Sequence, residues 1–217
     1  MDRLGEIDRA IRRTRRYWYD DGLTEVAVGC ILLLIAALFY VEAVAPAGPL
    51  IAGLSSLGLP VIVIGGSLVA RRLVALAKER LTYPRTGYVS YPRRPGARSK
   101  KATALVAAAT AASVAVLVVS LPASRVWLPA VQGLLAGAFT FYLGHELRLA
   151  RFYALAAVSV LLGAIAAASG LGDLLGSAAY FTGLGLAFVV SGGLALSAYL
   201  RATCPPHEEP RVMADER

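Results

Sequence analysis

Six stretches of this chain are each long and apolar enough to cross a bilayer, and nothing else constrains its fold as strongly. A hydrocarbon core of about 30 Å takes about 20 helical residues, and a backbone inside it must satisfy its own hydrogen bonds. The stretches fall near Leu23–Val44, Leu50–Ala70, Ala102–Leu121, Val126–Gly144, Phe152–Gly170 and Ala178–Leu200. The chain is 57% hydrophobic and 17% charged, against about 45–50% and about 25% in soluble domains. The expected architecture is all-α: an integral membrane bundle of six transmembrane helices over residues 23–200. Residues 1–22 precede it as an N-terminal amphipathic interfacial helix and turn, residues 71–101 form a cytoplasmic loop, and residues 201–217 are a cytoplasmic tail. No cleavable signal peptide is expected, because the first apolar run follows about 20 polar residues and is too long for an h-region.

The basic residues set the orientation. With six spans, the N-terminus, the loops after spans two and four, and the C-terminus share one side. That side holds 21 of the 22 Lys and Arg residues, and Arg125 alone falls on the other. Basic residues near span ends are retained in the cytoplasm, so a plasma (inner) membrane protein with both termini cytoplasmic is expected. The same bias excludes a dual-topology protein, and it accounts for the net charge of +8 without nucleic acid as a partner. The outer connections, "APAGP", "PASR" and "LGDLLGS", are too short for an extracytoplasmic domain.

In residues 2–19, Leu4, Ile7, Ile11, Thr14 and Trp18 recur at helical spacing, and Arg9, Arg12, Arg13, Arg15 and Arg16 occupy most of the rest. A basic amphipathic helix ending in "YWY" fits a bilayer interface with anionic headgroups. It also fits a partner-binding arm. The "DDGLTE" that follows has two readings. Structurally, Asp20, Asp21 and Gly22 form a turn into span one, with Gly22 as N-cap and Glu25 as half of a capping box at the positive end of the helix dipole. Functionally, Asp20, Asp21 and Glu25 bind a cation or receive arginines from a neighbouring segment, Arg85 being one candidate.

Span four carries a smooth stripe, Gly133, Gly137, Thr140 and Gly144, with Gln132 beside its start. Small residues at this spacing make a helix-packing surface, or line a pore. Cys30 lies inside span one and Cys204 beyond span six, so no disulfide framework is expected. Charged residues deep in a membrane are costly and usually functional, and here Glu25, Glu42, His145 and Glu146 all fall near span ends. That argues against a proton-coupled transporter built on buried carboxylates. No His/Cys cluster has metal-ligand spacing, and no phosphate loop, nucleophile elbow or Ser/His dyad is visible. No metal and no cofactor is expected, although His145 stands as a lone candidate ligand.

Topology gathers a constellation on the cytoplasmic face: Asp20, Asp21 and Glu25 entering span one, "TYPRTGY" with Tyr83, Arg85, Thr86 and Tyr88 after span two, and "GHELRLAR" with His145, Glu146, Arg148 and Arg151 between spans four and five. The motifs "YDDGLTE" and "KERLTYPRTGYV", in that order, resemble an uncharacterised family of small prokaryotic multi-pass membrane proteins. The hairpin arrangement is loosely similar to the acid-resistance membrane proteins of the HdeD type, which lack the Tyr-Pro-Arg loop. The resemblance implies a shared role for the loop and brings no catalytic residue or cofactor. The expected function is non-enzymatic: a scaffold or accessory subunit whose cytoplasmic face docks a lipid headgroup, a membrane-protein partner or a second copy. The alternatives are a small transporter or channel for a neutral or weakly polar solute, passing between spans four and six, and a lipid-interface enzyme.

Overall fold

The computed structural model describes residues 21–46, 48–82 and 126–202. They form five helices: α1 (Leu23–Val44), α2 (Pro49–Ala77, continued by a π turn over Lys78–Thr82), α3 (Leu128–Leu147), α4 (Ala150–Ala168) and α5 (Gly172–Ala202). No strand occurs among the described residues. Four helical segments, Leu23–Val44, Ser56–Arg80, Ala150–Ala168 and Gly172–Ala202, are long and apolar enough to cross a membrane. The described residues are therefore helical, and the protein is a multi-pass membrane protein. Helix α3 has 20 residues but is less apolar, since Gln132, His145, Glu146 and three glycines dilute it. The expected amphipathic helix before residue 21 and the apolar stretch Ala102–Leu121 lie outside the described residues.

Each boundary has a local cause. Gly22 is the N-cap of α1 with φ 70°, a left-handed conformation that favours glycine. Pro49 opens α2, where a missing N–H costs nothing. Helix α2 runs seven residues past the expected end at Ala70. Arg71 and Arg72 are exposed there, whereas Val74 and Lys78 are buried, so the packed face outlasts the apolar run. Arg148 ends α3 at φ 54°, and only Arg148 and Leu149 separate it from α4. The expected outer loop 171–177 is mostly helix. The turn is confined to Ser169–Leu171, with Gly170 and Gly172 at φ 70° and 82°. Asp173 then sits in the first turn of α5, at the positive end of its dipole.

The pairs α1–α2, α3–α4, α4–α5 and α1–α5 pack antiparallel, whereas α3 and α5 run parallel, and glycine sets how closely the backbones approach. Along α1 and α5, a Cβ on Gly29 would come within 2.7 Å of the Gly185 carbonyl oxygen, and one on Gly22 would collide with the Gly192 carbonyl. Along α3 and α4, a Cβ on Gly133 would lie 2.7 Å from the Ser159 carbonyl and 2.8 Å from Gly163 Cα. Gly137 faces Ala156 and Val160, and Gly144 faces Phe152 and Tyr153. The stripe Gly133, Gly137, Thr140, Gly144 is buried along its whole length, and its three glycines all face α4. The α3–α4 pair joins α5 through Leu147, Phe152, Leu155, Tyr180, Leu184 and Phe188. Helix α2 rests only its Gly58 and Gly66 side on Leu38 and Ile31 of α1, and Leu50, Leu57, Val61 and Ile64 face outward.

This pairing puts the start of α1, the ends of α2, α3 and α5, and the start of α4 at one end of the bundle. All described basic residues (Arg71, Arg72, Lys78, Arg80, Arg148, Arg151 and Arg201) lie in that half, which we call the basic end.

Gly133→Ala should destabilise the protein by about 1–3 kcal/mol, the usual cost of overpacking, because backbone atoms would have to shift. Gly193→Ala, where a Cβ meets open space, should be neutral. Thermal unfolding in mild detergent measures both; equal melting temperatures would contradict the close α3–α4 contact.

Candidate functional site

The entry into α1 carries two carboxylates into the protein. Asp21 lies just before the Gly22 N-cap and Glu25 in the first turn, and each is only 1% exposed. Three other helices supply their partners. Lys78, at the start of the π turn that ends α2, places Nζ 2.8 Å from Asp21 Oδ2. Arg151, in the first turn of α4, places Nε 2.7 Å from Glu25 Oε1. Ser191 of α5 donates its hydroxyl to Glu25 Oε2 at 2.8 Å. Asp21 Oδ1 accepts the Leu23 N–H at 3.3 Å, fixing the turn into the helix. The arginine guanidinium also lies 5.8 Å from the centre of the Phe152 ring.

The result is a neutral clasp of two ion pairs and one hydroxyl, tying α1 to α2, α4 and α5. The lysine is as buried as the carboxylates, with 2% of its side chain exposed. Arg151 keeps 25% of its side chain exposed and forms the outer edge. Withdrawing such charges from water is costly, and only paired, hydrogen-bonded geometry offsets it. Removing one member leaves its partner buried and uncompensated.

Of the residues singled out in the sequence, the structure brings Asp21, Glu25 and Arg151 together. The carboxylates receive cations from neighbouring segments, and these are Lys78 and Arg151; the candidate Arg85 lies outside the described residues. Glu25 does not fold back on its own helix as half of a capping box, because both of its oxygens are taken by α4 and α5. His145 and Arg148 are exposed and Glu146 is half-buried on the α3–α4 connection, outside the two ion pairs. Asp20, Tyr83, Thr86 and Tyr88 also lie outside the described residues.

Lys78 and Ser191 are the members that sequence reasoning missed. Lys78 is one of ten basic residues counted in the 71–101 segment, and only its place four residues after Val74, on the buried face of α2, separates it from them. Ser191 has no comparable signal, since its hydroxyl is one of many in apolar helices.

A second polar cluster lies deeper. Ser159 donates to the Gly133 carbonyl at 3.0 Å and meets Tyr180 Oη at 2.9 Å. Tyr180 Oη also lies 3.3 Å from the Gln132 carbonyl. These bonds join α3, α4 and α5 beside the glycine stripe. Among the described residues, no group of three or more His, Cys, Asp or Glu side chains is placed to hold a metal ion.

No protein-family model, curated protein or solved structure matches this chain. The geometry itself therefore carries the functional argument. It also joins the two sequence motifs: Asp21 belongs to "YDDGLTE", and Lys78 opens "KERLTYPRTGYV". Their ion pair fastens one motif to the other.

Lys78→Ala should cost about 3–5 kcal/mol, the range for breaking one side of a buried pair. Pairing it with Asp21→Asn should recover part of that loss. A double-mutant cycle on unfolding in detergent reads the coupling, and strictly additive losses would mean that the two side chains do not share an ion pair.

Proposed function

We propose that this is a six-span inner-membrane protein with both termini in the cytoplasm. Its basic end is a non-enzymatic docking face for an anionic lipid headgroup or a membrane-protein partner, a second copy included. The Asp21–Lys78 ion pair carries this reading. It fixes, at one point, the residue where the basic N-terminal segment arrives and the turn from which "TYPRTGY" departs. Two segments rich in arginine and tyrosine thus leave the bundle side by side. Tyr83, Arg85, Thr86 and Tyr88 form the recognition edge, with residues 1–20 lying as an interfacial helix beside them.

Chain continuity supports the six-span count. Thr82 lies at the basic end and Val126 at the other, which supports one further crossing between them. Ala102–Leu121 is the apolar stretch able to make it. Together with α3, whose 20 residues run alongside α4, this gives six crossings. The clustering of the described basic residues supports the orientation. Helix α1, 22 residues long, spans about 33 Å at 1.5 Å per residue, so the clasp sits at the cytoplasmic boundary of a hydrocarbon core of about 30 Å.

The transport alternative gains less support. The glycine face of span four is filled by α4, and Gly185 and Gly192 of span six are filled by α1. The enzyme alternative gains little either, since Asp21 and Glu25 are engaged in ion pairs.

In a Cys30→Ser, Cys204→Ser background, a cysteine at Arg148 should react with a membrane-impermeant maleimide only after permeabilisation. One at Ser169 should react in intact cells. The reverse pattern would invert the orientation. Native mass spectrometry should show anionic-lipid or subunit adducts that fall several-fold in Arg85→Ala with helicity retained; an unchanged adduct profile would remove the loop from the docking face.

A further inference from the structure

Away from the clasp, α1 and α5 line an open groove of about 700 Å³ with Leu33, Ala36, Tyr40, Leu175, Ala179 and Gly183, among others. Its floor is made of small side chains, and no described helix covers it. We propose that this groove is the internal docking site of the chain's own segment Ala102–Leu121, packed there as the third span.

Three observations favour this occupant. The first is reach. Only residues 122–125 separate the segment from Val126, and at about 3.3–3.6 Å per residue they extend no farther than a neighbouring helix or two. A Cβ on Gly176 in the first turns of α5 would touch Pro129 at 3.0 Å, so the start of α3 stands beside the start of α5, which gives the groove Leu175. The second is direction. Thr82 lies at the basic end and Val126 at the opposite one, so the segment between them would run antiparallel to both α5 and α3, as α1 does to α5 and α4 does to α3. The third is shape. Ala104, Ala108, Ala111 and Ala115 recur at spacings of 4, 3 and 4, as the small residues of α3 do. Such a stripe lets helix backbones approach closely in a membrane. Facing Ala36, Ala179 and Gly183, it would make a third small-residue contact after those of α1 with α5 and α3 with α4.

The inference rests on the six-span reading, and disulfide trapping separates the two. In the Cys30→Ser, Cys204→Ser background, cysteines at Ala108, Ala111, Ala112 and Ala115 are each paired with one at Ala179, and as a second series with one at Leu57 on the outward face of α2. Oxidation in native membranes should give intramolecular bonds to Ala179 at one or two of these positions, with helical periodicity, identified by peptide mass. A dimer band instead would make the groove an interface between copies and overturn the proposal. Trapping to Leu57, or none to Ala179, would also overturn it, while leaving the six-span reading intact. That reading is checked by impermeant-maleimide labelling of single cysteines at Ser99 and Ala123, which should react from opposite sides; labelling of both from one side would defeat it.

Discussion

The two buried carboxylates at the start of α1 organise everything at the basic end. A lipid tail is as apolar as a leucine, so apolar faces alone give a membrane helix little reason to prefer one neighbour or one register. Asp21 and Glu25 supply that preference. Each has a specific partner on a different helix, and a slide of α1 by one turn would part both ion pairs together. Breaking either one leaves a buried charge without its partner. The clasp therefore contributes to which arrangement forms more clearly than to how stable it is, since buried ion pairs often gain little over well-packed apolar groups.

Small-residue contacts complete what the clasp begins. Gly22 lies at the meeting point of the two devices. Its left-handed φ turns the chain so that Asp21 faces Lys78, and its missing side chain lets α1 press against Gly192. One residue serves the electrostatic and the steric requirement at once. Farther along, Gly29 against Gly185 continues the contact, and Gly133 against Gly163 repeats it between α3 and α4. Ser159 hydrogen-bonds across the latter pair to the Gly133 carbonyl, and its bond with Tyr180 ties α5 to that pair.

Much of this was legible in the residues. Apolar length gave Leu23–Val44 to the residue, and the spacing of Gly133, Gly137, Thr140 and Gly144 marked a face that lies buried against α4. The ends of α2 and α5 were not legible, for a physical reason. Hydropathy falls where arginines or turn-forming residues begin, yet a helix continues while one of its faces remains packed. Arg71 and Arg72 point outward while Val74 and Lys78 continue inward. The clasp was half legible: the acidic cluster and Arg151 stood out by charge near span ends. Lys78 was hidden among surface cations because its burial depends on tertiary packing, which charge counting does not register.

The pairing chosen for each carboxylate also bears on function. Glu25 is held by an arginine and a hydroxyl from α4 and α5, helices that belong to the body of the bundle. Asp21 is held by Lys78, the residue at which α2 gives way to a π turn and then to the "TYPRTGY" segment. A π turn widens the helix by one residue per turn and is common at functional sites. The first pair therefore ties α1 to the body of the bundle, whereas the second ties it to the end of α2. The two motifs that mark this sequence are thus joined where a local change in one is felt directly by the other. A docking face built from both would be assembled by the same ion pair that closes the helices beneath it.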